Sequence, residues 1–272
     1  MKRNIRLLIA DVDGTLVTPE HILTEASVAA AHDLRVAGVA LAIVSGRPPR
    51  GMRMLAAPLS LAAPMAGFNG GLLVNPDLSV IETHLLDGAT AAQALQLLES
   101  QGLDAWLYTP QAWLIRDENA PHVAREAATV QFGPEVRPAF APDDLTRAVK
   151  IVGVSDDLDK VAGCEAALRQ RLAGAASAAR SQPYYLDVTH PKANKGTVAD
   201  TLAARLGLSA EEIATIGDMP SDVAMFRRSG LSIAMGNAAD EVKAEASAVT
   251  DRNTEDGFAK AVRRFVLASA AA

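Results

Sequence analysis

Short apolar runs alternate with helical periodicity along the first part of the chain. Residues 5–10 form a β-branched, leucine-rich run that stops abruptly at polar residues, which predicts a buried strand. Thr24 is placed to cap a helix, the alanine-rich stretch to Val36 has the propensity to form one, and Gly38 supplies its stop. Residues 39–44 predict a second buried strand. Ser45-Gly46-Arg47 follows, then Pro48, which suits the first turn of another helix.

After Asn69-Gly70-Gly71 the pattern changes. Residues 72–74 and 80–81 flank an Asn75-Pro76-Asp77 turn and predict a hairpin. A helix over 89–100 precedes short strands at 105–108 and 113–116. Residues 150–154, a helix over 158–172, and strands at 178–181 and 184–188 continue this α+β mixture. From Asn194 the strand–helix alternation returns: a helix to Leu206, a strand over 212–217, another over 231–234, a last one over 248–250, and a final helix. The pattern predicts an α/β fold, a doubly wound parallel sheet spanning 1–82 and 189–272, split by an α+β insert at 83–188. In such sheets ligands bind at the carboxyl ends of the strands.

Size and charge narrow the field. With 272 residues, one large or two modest domains are expected. The 26 Lys and Arg against 32 Asp and Glu give a net charge of −6, and Arg263-Arg264 is too short for a basic tract, so a nucleic-acid partner is not expected. Cys164 is the lone cysteine, which rules out an internal disulfide or a thiolate zinc cluster and favours the cytoplasm. Lys2, Arg3 and Arg6 precede an apolar run that ends at Asp11, too short for a secretory signal. Residues 54–76 carry no charge, but Pro58, Pro64, Gly67, Gly70 and Gly71 break them, so no membrane span is expected.

Candidate chemistry gathers where core strands end: Asp11 and Asp13 after the first, Ser45 after the second, Asp218 and Asp222 after the strand at 212–217. Two residues of extended chain cover about 6.6 Å, whereas neighbouring ligands on magnesium lie about 3 Å apart. The chain must therefore turn after Asp11, which Gly14 permits. The same hexapeptide, 11–16, also suits an Asx-turn closing a strand. Asp218 and Asp222 stand at i and i+4, and also suit an exposed helix face. Lys195 in the first turn of a helix opposes the macrodipole, a conflict that a nearby anion would remove. Ser45 suits either a phosphate-binding turn or a plain helix cap. Together these residues are the equipment for moving a phosphoryl group. His21, His32, His84, His122 and His190 show no metal-ligand spacing, His190 being the best placed for a substrate; Trp106 and Trp113 read as packing.

Asp11-x-Asp13-Gly14-Thr15-Leu16, Ser45-Gly46-Arg47, Lys195-Gly196 and Gly217-Asp218-x-x-x-Asp222 resemble, in order and spacing, the four motifs of the haloacid dehalogenase superfamily. Asn69-Gly70-Gly71, the insert and the stretch 234–238 resemble its Cof-type sugar-phosphatase branch, whose fold is a Rossmann-like core with a type C2B cap domain. The resemblance implies a Mg²⁺-dependent phosphatase acting on a small phosphorylated metabolite, and no obligate protein partner is evident in the sequence. It implies Asp11 as the nucleophile, Asp13 as general acid and base, and Thr15 as orienting the loop. Mg²⁺ would be held by Asp11, the main-chain oxygen of Asp13 and Asp218, with Asp222 in support. Ser45 and Lys195, with Val12, Gly46, Arg47, Asn69 and Ser221, would bind phosphate; Ser221 departs from the asparagine common at that position. A phosphomutase or phosphotransferase would use the same groups. A receiver-like phospho-acceptor or metal-binding module is the reading of another class, though it gives no reason for so large an insert.

Overall fold

The computed structural model describes residues 4–268; Lys2 and Arg3 lie outside these. An eight-stranded sheet forms the core. Its strand order runs Ala248–Val249, Leu231–Ala234, Ile213–Gly217, Leu7–Asp11, Ala40–Val44, Met65–Gly67, Leu72–Val74 and Val80–Thr83. The first six are mutually parallel and the last two form an antiparallel hairpin on the edge. The sheet is thus not wholly parallel, because the turn at 68–71 is too short for a crossover and sends Leu72–Val74 back against the other strands, and the turn at 75–77 reverses the chain again. Leu7–Asp11, in the middle, is buried at all five positions, as a strand covered on both faces must be.

The helices begin where polar side chains satisfy their free N–H groups. Thr24 Oγ1 accepts from the Ser27 N–H ahead of Glu25–Val36, and Asn194 Oδ1 accepts from the Thr197 N–H ahead of Lys195–Leu206. Ser45 caps no helix. The helical turn after it starts at Pro49, and Ser45 Oγ instead accepts from the Arg47 N–H at 3.1 Å.

A second, six-stranded sheet is built from the middle of the chain, in the order Ser177–Gln182, Tyr185–Thr189, Lys150–Val154, Asp104–Tyr108, Trp113–Ile115 and Glu135–Val136. It forms the cap over a Rossmann-like α/β core. Alternation along its strands separates two faces: Ala105, Leu107, Ile151, Leu186 and Val188 pack with helices Gly88–Ser100 and Leu158–Arg171, while Trp106, Tyr108, Trp113 and Val152 join the core's own cluster. Trp106 and Trp113 are each only 1% exposed, so they are packing residues. No helix among the described residues is long and apolar enough to cross a membrane.

Candidate active site

Asp11 ends the central strand, and the chain folds back at once: the N–H groups of Thr15, Leu16 and Val17 all point to the Val12 carbonyl. Gly14 makes this turn with φ +78°, and a Cβ there would sit 2.3 Å from Asp218 Oδ2. The turn therefore sets Thr15 against Asp218, with Oγ1 donating to Oδ1 at 3.3 Å.

Lys195, at the start of its helix and 3% exposed, donates to Asp11 Oδ1 at 2.6 Å and lies 2.5 Å from Asp222 Oδ1. The conflict with the helix dipole is thus met by two buried carboxylates. Asp218 and Asp222 do not share a helix face. Asp222 lies in a short 3₁₀ turn and its Oδ2 reaches back to accept from the N–H groups of Asp218, at 2.9 Å, and Met219, at 2.8 Å. Gly217 leaves room for this, since a Cβ there would meet the Asp222 carboxyl carbon at 2.3 Å.

Among the described residues one acidic group has metal-holding geometry: Asp11, Asp218 and Asp222, each offering an oxygen within 4.8 Å of the others. An all-carboxylate donor set suits a hard cation such as magnesium. Three carboxylates against one ammonium leave an excess of buried negative charge, which fits a divalent ion. Burial pushes the Asp11 carboxyl well above the usual carboxylate range, with Lys195 opposing and Asp222 and Asp218 adding to it. Burial and then Asp222 push Asp218 up to about 6, against the pull of Lys195. Burial would depress the Lys195 ammonium, but Asp11 and Asp222 outweigh it and hold the group above its ordinary value.

The Asp13 carboxylate is not part of this trio. Arg47 grips it in a fork, Nε donating to Oδ2 at 2.8 Å and a terminal nitrogen to Oδ1, while Ser45 Oγ lies 3.4 Å from Oδ2. The same guanidinium donates to the Thr129 carbonyl of the cap at 3.0 Å. Val12 is buried beside Asp11, and Gly46 lies close to the Asn69 side chain. Ser221 is exposed, within the short turn Pro220–Asp222.

Three further residues contribute, of which Asn237 lies in the stretch 234–238. Asn237 donates to Asp218 Oδ2 at 3.1 Å and to the Gly14 carbonyl at 2.9 Å, and Asn253 orients it by giving its N–H to Asn237 Oδ1. His21 accepts from Arg47 through Nδ1 at 2.7 Å and lies 3.3 Å from Asp13 Oδ1. Asn237 carries a usable signal, since it follows the strand Leu231–Ala234 as Asp11 and Asp218 follow theirs. His21 carries none.

Comparison with known proteins supplies the context. A family model described as haloacid dehalogenase-like hydrolase matches residues 8–262. The chain is 28% identical over 265 residues to the 5-amino-6-(5-phospho-D-ribitylamino)uracil phosphatase YcsE of Bacillus subtilis, covering 97% of each chain. It is 28% identical to the pyridoxal phosphate phosphatase YbhA of Escherichia coli, covering 94% of this chain and 96% of that one. A crystal structure of a haloacid dehalogenase-like hydrolase from Bacteroides thetaiotaomicron superposes with a TM-score of 0.87 at 26% identity, covering 96% of this chain and 99% of the other.

Proposed function

Because the chain belongs to the haloacid dehalogenase-like hydrolases, in their Cof-type branch, we propose that it is a Mg²⁺-dependent phosphatase that hydrolyses a sugar phosphate through an aspartyl-phosphate on Asp11. Phosphatase action on phosphoric monoesters is the common property of these relatives' names, and their substrates are small phosphorylated metabolites. The observation that carries the reading is the buried Lys195 ammonium between Asp11 and Asp222, with Asp218 beside them, at the carboxyl ends of two core strands.

Lys195 takes one oxygen of Asp11, leaving Oδ2 to attack phosphorus. A bond forms from Asp11 to phosphorus as the ester bond breaks, and Asp13 delivers a proton to the departing oxygen. Asp13 then takes a proton from water, whose oxygen attacks the phosphorus and releases inorganic phosphate and Asp11. Ser45, Lys195 and the N–H groups of Val12 and Gly46 bind the phosphoryl oxygens, with Arg47 and Asn69 beside them. Asp11, the Asp13 main-chain oxygen and Asp218 would hold Mg²⁺, while Asp222, its oxygens committed to Lys195 and two N–H groups, orients the site. When bound, the ion supplies charge neutralisation that lets a carboxylate approach a phosphate dianion.

The test is turnover of p-nitrophenyl phosphate with Mg²⁺, with release of inorganic phosphate and loss of turnover in excess EDTA. A single stoichiometric labelling without turnover would place the chain with receivers, and isomerisation without phosphate release with mutases.

The raised Asp218 value also makes a stability prediction. Between pH of about 4 and about 6 the fold holds a proton that the unfolded chain has lost, so without metal it weakens as pH rises through that window. Mg²⁺ competes with that proton. The gain in melting temperature on adding Mg²⁺ is therefore expected to be larger at pH 7 than at pH 5, and in Asp218→Asn this pH dependence should shrink; equal gains at the two pH values in the wild type would contradict a metal site built on these raised carboxyls.

A further inference from the structure

Asp13 and Arg47 meet with unequal freedom. The Asp13 side chain is 42% exposed, whereas that of Arg47 is 8% exposed. The acid is therefore fixed by the base: Arg47 Nε and Nη2 each donate to one carboxylate oxygen, and Ser45 Oγ adds a longer contact at 3.4 Å. Whatever fixes the guanidinium then decides where Asp13 points. Two further bonds hold it. Nη1 donates to the Thr129 carbonyl at 3.0 Å, in the cap helix Val123–Val130, and Nη2 gives its second N–H to His21 Nδ1 at 2.7 Å. The Thr129 bond joins cap to core, so it lasts only while the two are together. The His21 bond lies wholly within the core.

His21 is held in place for that bond. It closes a tight turn, its N–H donating to the Thr18 carbonyl at 2.9 Å and the Thr18 N–H to the Ile22 carbonyl at 3.0 Å. Bridges from Val17 to Asp13 and to Leu23 tie this turn to the Asp13 loop, and Asn253 Nδ2 donates to the Val17 carbonyl at 2.9 Å. In the turn His21 adopts φ +60°, the left-handed region that glycine and asparagine enter most readily. Such strain persists where surrounding contacts outweigh it, and it clusters at active sites. The contacts of this ring are to Arg47 and, at 3.3 Å, to Asp13 Oδ1.

We propose that His21 is a positioning residue for proton delivery to the leaving group, an assignment that rests on the phosphatase reading. It acts through Arg47. By accepting the second Nη2 N–H it stops the guanidinium from turning, and the fork then keeps the Asp13 carboxyl in one orientation. Each Asp13 oxygen has a lone pair outside the fork, where the proton is carried. That proton passes to the departing oxygen as the bond from oxygen to phosphorus breaks and the bond from Asp11 forms. The more basic the departing oxygen, the more the step depends on the proton, so a misplaced Asp13 penalises a poor leaving group more than a good one. A residue that only supported the fold or bound phosphate would affect both alike.

The test measures kcat/KM in wild type, His21→Gly and His21→Asn for two esters of similar shape. Phenyl phosphate releases a strongly basic phenolate, and p-nitrophenyl phosphate a weakly basic one. kcat/KM covers the steps up to the aspartyl-phosphate, so breakdown of that intermediate does not enter. Glycine fits φ +60° and removes the acceptor; asparagine also tolerates that conformation and offers Oδ1 in place of Nδ1. The ratio of phenyl to p-nitrophenyl kcat/KM is expected to fall roughly tenfold in His21→Gly, part of the whole contribution of a general acid, and to return to within about threefold of wild type in His21→Asn. An unchanged ratio in His21→Gly, a fall that asparagine does not repair, or a glycine variant that melts well below wild type overturns the assignment. Absence of wild-type turnover of p-nitrophenyl phosphate would overturn the phosphatase reading and this role together, whereas an unaltered ratio overturns this role alone.

Discussion

Asp11→Asn is expected to lower turnover of p-nitrophenyl phosphate by roughly 10⁴-fold or more, the scale seen when a covalent nucleophile is removed. The amide is nearly isosteric and still accepts from Lys195, so the loss would not come from collapse of the site. Stability should move the other way. Asp11 is one of three carboxylates facing a single ammonium in a buried site, and burial disfavours its charge. Neutralising it removes like-charge repulsion, so the metal-free variant is expected to melt at or above the wild-type temperature. Activity is measured by phosphate release and stability by thermal unfolding in EDTA. A variant retaining more than about one hundredth of wild-type turnover would remove Asp11 from the nucleophile's role.

Lys195→Met should harm both properties. The methionine fits the channel of the lysine stem but leaves Asp11 and Asp222 buried without their counter-charge, and breaking a buried pair in this way costs about 3–5 kcal/mol. The expected result is a lower melting temperature together with a loss of turnover of roughly 100-fold or more, the scale on which a preorganised donor to a reacting phosphoryl group is felt. Added Mg²⁺ should recover part of the stability, because it supplies positive charge to the same carboxylates, yet little of the turnover. A variant that melts like wild type in EDTA would contradict the view that this ammonium holds the acidic cluster together.

The core was legible because buried parallel strands write themselves as apolar runs, and because one rule, polar groups at strand ends, selects Asp11, Asp13, Ser45 and Asp218. The rule located residues without giving their geometry. Asp218 and Asp222 read as neighbours on a helix, whereas Asp222 meets Asp218 by folding back onto its N–H. His21 was invisible because its contacts are to Asp13 and Arg47, across a loop whose path no local pattern encodes. The stretch between Ile115 and Lys150 was the least readable: Pro121, Pro134, Pro138 and Pro142 interrupt any period, and its elements, Val123–Val130, Glu135–Val136 and Pro142–Thr146, are all short.

The chain leaves the core sheet after Thr83 and enters it again beyond Thr189, and at these two crossings the rings of His84 and His190 stack with centroids 5.4 Å apart. Departure and return are side by side. An insertion tethered at adjacent points behaves as an exchangeable cassette: lengthening it, shrinking it or swapping it for another leaves the order of the strands beneath untouched. The strand ends that carry Asp11 and Asp218 keep their places under such an exchange, and only the contacts that reach down from the insert, Thr129 to Arg47 and Lys150 to Gly46, would have to be rebuilt.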